Sequence, residues 1–487
     1  MPTDQSTTTT SAQPELNRRS FVKTAAAVTA AAAAVTSTGP LVKKAKAAEE
    51  KVQYGFIGPG SRGYGLLNRH LQHVPTGECV AICDIYQPNL DKAMEIFRGK
   101  PDGTPPKPYT DYNALLADPN VEAVFIAVPL FMHFPVMKAA LEAGKHVFCE
   151  KSLVFTPAEV HGLRALHEAH PDQVIQVGLQ RRYSEFYHAA KALIDDGAIG
   201  KITHVQAQWH RNGNWRRIAS PEMEEQINWR MYRQYSGGLS AELMSHQVDV
   251  SDWFMGSSPQ SVMGVGGIDY WKDGRTTFDN IQLIFEYPGG EKLQYSSITT
   301  NRHQQGRRGP GDGCREVILG TDGAIEISLV PNGDGMLYLD RMPMHMGDSE
   351  KGGEAWTAGA TMASDTMEQG EGLAIIPNMV DLDSGEVGFI AKEVEYAKRW
   401  MYRKGILTPT ASVHEEYKEL ESFLDCVLTG AKPKADLEVG LQDSIAVMLS
   451  NLAMDQERKV YFSEIEAMGL DDVQMTQARS SAPDADD

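Results

Sequence analysis

Cysteine is scarce in this chain, and its five residues (79, 83, 149, 314 and 426) show no C-x-x-C spacing. An odd number without that spacing argues against a disulfide framework or a zinc site, so all five are read as small core residues and no metal is expected. Basic residues are outnumbered, 46 to 65, for a formal charge of −19. Nucleic acid and anionic lipid both demand a basic face, so neither is an expected partner. Past the N-terminus no apolar run approaches the ~18 residues that a membrane span requires. Internal repeats are missing too, which excludes solenoids and propellers.

The 487 residues, 42% of them apolar, suffice for two domains with real cores. The N-terminus stands apart. Asn17-Arg18-Arg19-Ser20-Phe21-Val22-Lys23 precedes an uncharged Ala-rich stretch from Thr24 to Leu41, and Ala45-Lys46-Ala47 is a small-x-small cleavage pattern. This has the form of a twin-arginine export signal, so residues 1–47 are set outside the fold. The export machinery is then an expected partner and the periplasm, or another exported location, the expected address. No cysteine lies at the cleavage point, so no lipid anchor is expected. Loss of residues 1–47 removes six basic and two acidic residues and leaves a charge of about −23.

The chain proper opens on Val52-Gln-Tyr-Gly-Phe-Ile-Gly-Pro-Gly-Ser-Arg-Gly63. An apolar, strand-like run turns through Gly58, Gly60 and Gly63 and enters a helix-like segment from Tyr64 to Leu71. In such a unit the first glycine makes the tight turn, the second lets backbone approach a pyrophosphate, and the third packs helix on strand. Ser61 and Arg62 lie in the turn, where the first helical amides favour an anion. A second apolar run, Cys79–Asp84, ends in an acid 21 residues after Gly63, where a ribose-binding carboxylate belongs. Asp84 favours NAD, because it would repel a 2′-phosphate. Arg62 could offset that repulsion, so NADP stays open.

Alternating signals over 51–180 predict a doubly wound α/β sheet, a Rossmann dinucleotide-binding domain. Strands are expected at Val121–Val128, His146–Cys149 and Val174–Val177, and helices at Pro88–Arg98, Met132–Ala143 and from Pro157. From Lys201 the pattern becomes period two, with strands at Ile202–Trp209, Ile281–Tyr287, Lys292–Thr299 and Glu316–Leu319. A C-terminal α/β domain with an open, mostly antiparallel sheet is therefore expected over 181–465. It carries helices at Leu239–Phe254, His414–Leu428 and Leu437–Met454. Residues 330–412 match no simple period and are read as an insertion of long loops with a helix at Ala391–Arg403, and 466–487 as a disordered tail.

Glu150-Lys151 closes a strand at the edge where a nicotinamide would lie. Glu242, His246 and Asp249 follow at helical spacing after Gly237-Gly238. A lysine, a histidine and a carboxylate suit hydride chemistry at a carbinol carbon. His246 takes the hydroxyl proton, Lys151 stabilises the developing alkoxide, and Glu242 orients His246. The bland alternatives are an exposed Glu150–Lys151 ion pair and a satisfied core histidine. Trp209-His-Arg211-Asn212, Trp215-Arg216-Arg217 and Trp229-Arg230 form either a sugar-binding surface or an interfacial aromatic–arginine cluster. Arg181-Arg182 either lines the crevice or is solvated.

Taken together, the G-x-G-x-x-G start, Asp84, Ala127-Val128-Pro129-Leu-Phe-Met-His133, Cys149-Glu150-Lys151-Ser152-Leu153 and the Gly-Gly…His…Asp segment resemble the Gfo/Idh/MocA oxidoreductases. The resemblance implies bound NAD or NADP, sugar or polyol substrates, and a homo-oligomer. It maps the family's catalytic lysine onto Lys151, its Asp-x-x-x-His pair onto Glu242 and His246, and its cofactor-contact motif onto Val128 to His133. Three residues depart from the pattern: Ser152 replaces proline, Glu242 aspartate and Leu130 asparagine. An exported enzyme that needs a dinucleotide would lose a weakly held one by mass action. Tightly bound, internally recycled cofactor is therefore expected. Two alternatives remain. One is a redox-neutral NAD-dependent glycosidase, lyase or epimerase, and the other, more distant, is a non-catalytic sugar-binding protein.

Overall fold

The computed structural model describes residues 51–98, 105–302, 313–328, 334–339, 373–378, 406–410 and 414–468. The export signal, the expected helix at 391–403 and the tail beyond 468 lie outside them. Six parallel strands form the first sheet: β1 (Val52–Ile57), β2 (Gly77–Cys83), β3 (Lys107–Tyr109), β4 (Ala123–Ile126), β5 (His146–Glu150) and β6 (Ile175–Gly178). Their order, β3-β2-β1-β4-β5-β6, is that of a Rossmann fold. Helices α1 (Ser61–Arg69), α2 (Gln87–Glu95), α3 (His133–Glu142) and α4 (Pro157–Ala169) make the crossovers. Local chemistry sets their ends. Thr156 and Glu159 cap α4 reciprocally, and Gly144 turns the chain out of α3 at φ +76°.

The chain then runs through α5 (Glu185–Asp195) into a ten-stranded mixed sheet. Its strands are β7 (Ile202–Trp209), β8 (Ser261–Gly267), β9 (Asn280–Glu286), β10 (Lys292–Ile298), β11 (Cys314–Gly320) and β12 (Gly323–Ser328), then β13 (Asp334–Leu339), β14 (Leu373–Asn378), β15 (Ile406–Thr410) and β16 (Val460–Tyr461). The order is β15-β14-β13-β12-β11-β7-β10-β9-β8-β16. Among the described residues, only β7–β10 and β14–β15 pair in parallel. Strands β13 to β15 correct the expectation of long loops over 330–412, because three short runs there extend the sheet edge. Each is five or six residues long, too short for periodicity to register.

One helical segment, Ser240–Met244, is a π turn that leads into α6 (Ser245–Met255), which Gly256 stops at φ +69°. Two late helices, α7 (Glu415–Thr429) and α8 (Leu437–Asp455), return to the first sheet. Phe423 of α7 packs edge-on against Phe125, with ring centres 5.1 Å apart, and Phe148 lies 5.9 Å away. Leu420, Phe423 and Leu424 thus share one core with Tyr54, Phe56 and Phe125. All five cysteines are buried and none forms a disulfide.

The two sheets are also joined through charge. Arg181 and Arg182 follow β6; Arg181 is buried and Arg182 half-buried. Arg181 pairs with Glu316 of β11, and the Tyr187 hydroxyl donates to the same carboxylate (2.7 Å). Arg182 Nε donates to Asp249 Oδ1 of α6 (2.7 Å). A buried ion pair that loses one partner leaves the other charge uncompensated. Glu316→Ala should therefore lower the free energy of unfolding in urea by roughly 3–5 kcal/mol. Glu316→Gln, which keeps an acceptor, should lose less.

Candidate active site

The turn between β1 and α1 is built for close approach. Gly58 has φ +87°, and a Cβ there would meet the backbone of Ala127 at 2.9 Å. A Cβ on Gly63 would meet the Gly58 carbonyl oxygen at 2.3 Å. Gly60 differs: a Cβ there would find only Asn89 Nδ2, at 3.8 Å, so its surface is open. No side chain caps α1, and its first amides face that opening. A diphosphate fits such a cradle. Asp84 ends β2, accepting from Tyr86 N (2.8 Å) and Asn89 Nδ2 (3.1 Å). Burial raises its carboxyl, and these two bonds pull it back. Beside it Ile85 is 80% exposed, an apolar surface where an adenine would lie. The cradle, the carboxylate and the apolar shelf all suit a dinucleotide.

Arg62 lies in this turn but does not reach toward Asp84. Its guanidinium donates to Glu150 Oε1 (2.7 Å), Gln180 Oε1 (2.7 Å) and Glu416 Oε1 of α7 (3.2 Å). Ser61 is exposed beside it. Val128 and Pro129 leave β4 half-buried, and Gly58 packs against the Val128 side chain. His133 is buried behind them. Its Nδ1 lies 2.7 Å from Ser152 O and its Nε2 3.0 Å from Val128 O, so both ring nitrogens serve the backbone. As a neutral imidazole His133 has one N–H to donate to these two carbonyls, and its polar contacts go to the backbone of two loops.

Lys151 follows β5, and the peptide joining it to Ser152 is cis. Glu150 pairs with Arg62 rather than with Lys151. The Lys151 ammonium donates to Ala241 O (2.6 Å) and Glu242 O (3.0 Å), both in the π turn. Two of its three protons are thereby used and one remains. Burial holds its pKa below the usual lysine range, and Glu242, Glu150 and Asp443 partly restore it. His246 begins α6 with its ring 5.7 Å from that of Trp209, between centroids. Burial, then Lys151, Arg181, Arg62 and Arg211, hold its pKa well below the ordinary value, so the ring is neutral near pH 7.

Glu242 does not orient His246. Its carboxylate accepts from Arg230 Nε (2.8 Å), and no hydrogen bond joins it to the imidazole. The reason is local: hydrogen bonding from i to i+5 in the π turn breaks the alignment that an α-helix gives residues four apart. Burial would raise the Glu242 carboxyl, but Arg230 and then Lys151 hold it low. Asp249 is likewise committed. Its side chain is 2% exposed, with Oδ1 bound to Arg182 and Oδ2 buried without a partner. Trp209 and Arg211 flank His246, Trp229 stacks on Arg230 (4.3 Å to the ring centre), and Asn212 is exposed and bridges to Thr300.

Two residues of α8 also reach this site. Ser444 Oγ accepts from Leu153 N (2.9 Å) and holds the segment after Lys151 in place. Asp443 is buried and acts on Lys151 from below. Burial, then Asp249, push its carboxyl up to about 7, against Lys151 and Ser152. No local motif marks either residue, since nearly 300 positions separate them from Lys151.

Known proteins share this architecture. Residues 52–179 match a family model described as "Oxidoreductase family, NAD-binding Rossmann fold", and 187–326 match "GFO/IDH/MocA C-terminal domain". Residues 15–35 match the twin-arginine translocation signal, so the chain carries an export signal. Inositol 2-dehydrogenase of Salmonella paratyphi B is 31% identical over 208 residues, 43% of this chain and 56% of that protein. Myo-inositol 2-dehydrogenase of Thermotoga maritima is 26% identical over 277 residues, 57% of this chain and 72% of that protein. The chain thus spans little more than half the length of the first of these relatives. Aldose–aldose oxidoreductase from Caulobacter crescentus, crystallised with glycerol, superposes with a TM-score of 0.61 at 18% identity, over 85% of this chain and all of that one. Levoglucosan dehydrogenase, in complex with NADH and levoglucosan, gives a TM-score of 0.60 at 18% identity over the same shares.

Asp443 offers a test of the site's electrostatics. An unfolded aspartate releases its proton near pH 4, whereas folded Asp443 keeps it up to about 7. Between those values the folded state holds the extra proton, so stability falls as pH rises and stays reduced above 7. Asp443→Asn should be more stable than the parent at pH 8, by roughly 1–4 kcal/mol in urea unfolding, with little difference near pH 4.

Proposed function

We propose that this chain, which belongs to the Gfo/Idh/MocA oxidoreductase family, oxidises a carbinol carbon of a sugar, polyol or glycoside with NAD. What supports this reading is that Lys151, just after β5, donates to Ala241 O and Glu242 O in the π turn that leads to His246, and that burial and the Lys151 charge hold the His246 pKa low. The inositol dehydrogenase relatives support the polyol class. Gly58 to Gly63 and the first amides of α1 would hold the diphosphate, and Asp84 the ribose hydroxyls. Arg62 is engaged by Glu150, Gln180 and Glu416, so it does not offset the repulsion of a 2′-phosphate by Asp84, which favours NAD over NADP. When bound, NAD would accept the hydride, with its electron pair, from the carbinol carbon.

His246 takes the hydroxyl proton as that carbon becomes a carbonyl. Its depressed pKa keeps the ring in the accepting form. The third proton of Lys151 points its charge at the same oxygen and stabilises the alkoxide as it develops. The π-turn carbonyls fix the ammonium, so this donor needs no reorganisation. Glu242 supports the pair indirectly by holding Arg230. A tightly held cofactor, recycled in place, fits export through the twin-arginine route.

Four measurements test the reading. Denaturing the purified protein should release about one NAD(H) per chain, and an empty protein that also fails to bind added NAD would overturn it. Gly60→Val should fold, because the new side chain projects into open space, but should weaken dinucleotide binding roughly 10-fold or more. His246→Ala should lower kcat by about 10²–10⁴-fold. In the parent, the acid limb of kcat/KM should lie below the ordinary histidine value of about 6.5, because the base loses its proton acceptor role only when protonated. An acid limb above that value would remove His246 as the base.

A further inference from the structure

The crevice arginines are matched by carboxylates with one exception. Arg62 has Glu150 and Glu416, Arg181 has Glu316, Arg182 has Asp249, Arg216 has Asp273 and Glu224, and Arg230 has Glu242. Arg211 has none among the described residues. Its guanidinium lies between two indoles, 5.1 Å from the ring centre of Trp209 and 5.4 Å from that of Trp215. Its Nε is buried without an acceptor, and so is the indole Nε1 of Trp209. A cation removed from water on two faces, with an unused donor, is costly unless something completes it.

The loop invests structure in keeping this arrangement. Trp215 sits at φ +62°, a region that a bulky L-residue occupies at a cost of about 1–2 kcal/mol. Asn214 Oδ1 accepts from Arg216 N (2.6 Å), Arg216 Nε donates to Asp273 Oδ2 (3.2 Å), and Arg275 Nη2 donates to Asn214 O (3.2 Å). These bonds hold the second indole against Arg211. Its other indole, Trp209, touches His246 on the reacting side. Arg211 and His246 are thus both neighbours of the Trp209 indole.

We propose that Arg211 is a carboxylate-binding residue and that the substrate is a carbohydrate acid, a uronic or aldonic acid whose carboxylate accepts from Arg211 while its carbinol carbon lies at His246 and Lys151. A planar guanidinium fixed by stacking matches a carboxylate bidentately, and a charge-assisted pair is about twice as strong as a bond to a neutral hydroxyl. A neutral sugar would leave the Arg211 charge uncompensated. This inference rests on the oxidoreductase reading of the same site, so binding and turnover are measured separately.

The test uses the purified holoprotein and matched probes: D-glucose with D-glucuronate, and D-galactose with D-galacturonate. Binding is followed by calorimetry and tryptophan fluorescence, and cofactor reduction by nicotinamide absorbance. In at least one pair the acid should bind at least about 10-fold tighter than its neutral partner. Arg211→Gln should remove about 10-fold or more of that preference, and Arg211→Lys should restore part of it as a point charge without the fork. The inference is overturned if no acid binds at about 10 mM, if neither pair prefers the acid, or if the preference survives Arg211→Gln. Acids that bind through Arg211 without reducing the cofactor would uphold the inference and sink the oxidoreductase reading. Neutral sugars that reduce the cofactor while acids are ignored would do the reverse.

Discussion

A buried ammonium must find acceptors, and the position of Lys151 follows from that need. It sits where the first sheet ends, and the nearest carbonyls belong to the other half of the chain, at Ala241 and Glu242. A regular α-helix engages its carbonyls with amides four residues on. The π turn at Ser240–Met244 loosens that ladder where two carbonyls must face a lysine. The same turn delivers His246 to the crevice and swings Glu242 to Arg230. One contact between the two sheets thus explains the lysine's orientation, the histidine's place and the failure of the simple i, i+4 pairing.

Around that contact the crevice is densely charged but nearly neutral by pairing. Arg62, Arg181, Arg182 and Arg230 are each held by a carboxylate, and Glu416 reaches Arg62 from the far end of the chain. Such pairs give little net stability, yet they fix geometry, because a displaced partner would leave a bare charge in low dielectric. Burial first, and then the charges of Lys151, Arg181, Arg62 and Arg211, hold the His246 pKa low, as a base requires. Arg211 departs from this balance, and its isolation is informative because Arg62, Arg181, Arg182, Arg216 and Arg230 each have a carboxylate among the described residues.

The glycine turn, the parallel strands and the places of Asp84 and Lys151 just after β2 and β5 were legible in the sequence because each follows from short-range spacing. A tight turn needs glycine within six residues, and a buried strand is an apolar run. Strands β13 to β15 were not legible, because five or six residues carry too little period to separate strand from loop. Glu242 was assigned the wrong partner because spacing on an ideal helix cannot anticipate a π turn. Glu316, Glu416, Asp443 and Ser444 act on residues more than a hundred positions away, so no local pattern announces them. Residue chemistry suggested the roles of Lys151 and His246 and the family resemblance agreed with them, but neither anticipated the burial and charges that lower the His246 pKa.

The late helices also bear on export. Phe423 completes the aromatic core around Phe125 and Phe148, Glu416 ties the cofactor turn through Arg62, and Ser444 holds the backbone after Lys151. The dinucleotide domain therefore cannot reach its final packing until residues beyond 414 have been synthesised. A cofactor would find its complete site only on the whole chain. A pathway that threads an unfolded polypeptide would separate these parts and return the site to an unmade state. The twin-arginine route moves folded proteins, so the signal at residues 15–35 matches a dinucleotide site whose two ends come from opposite ends of the mature chain.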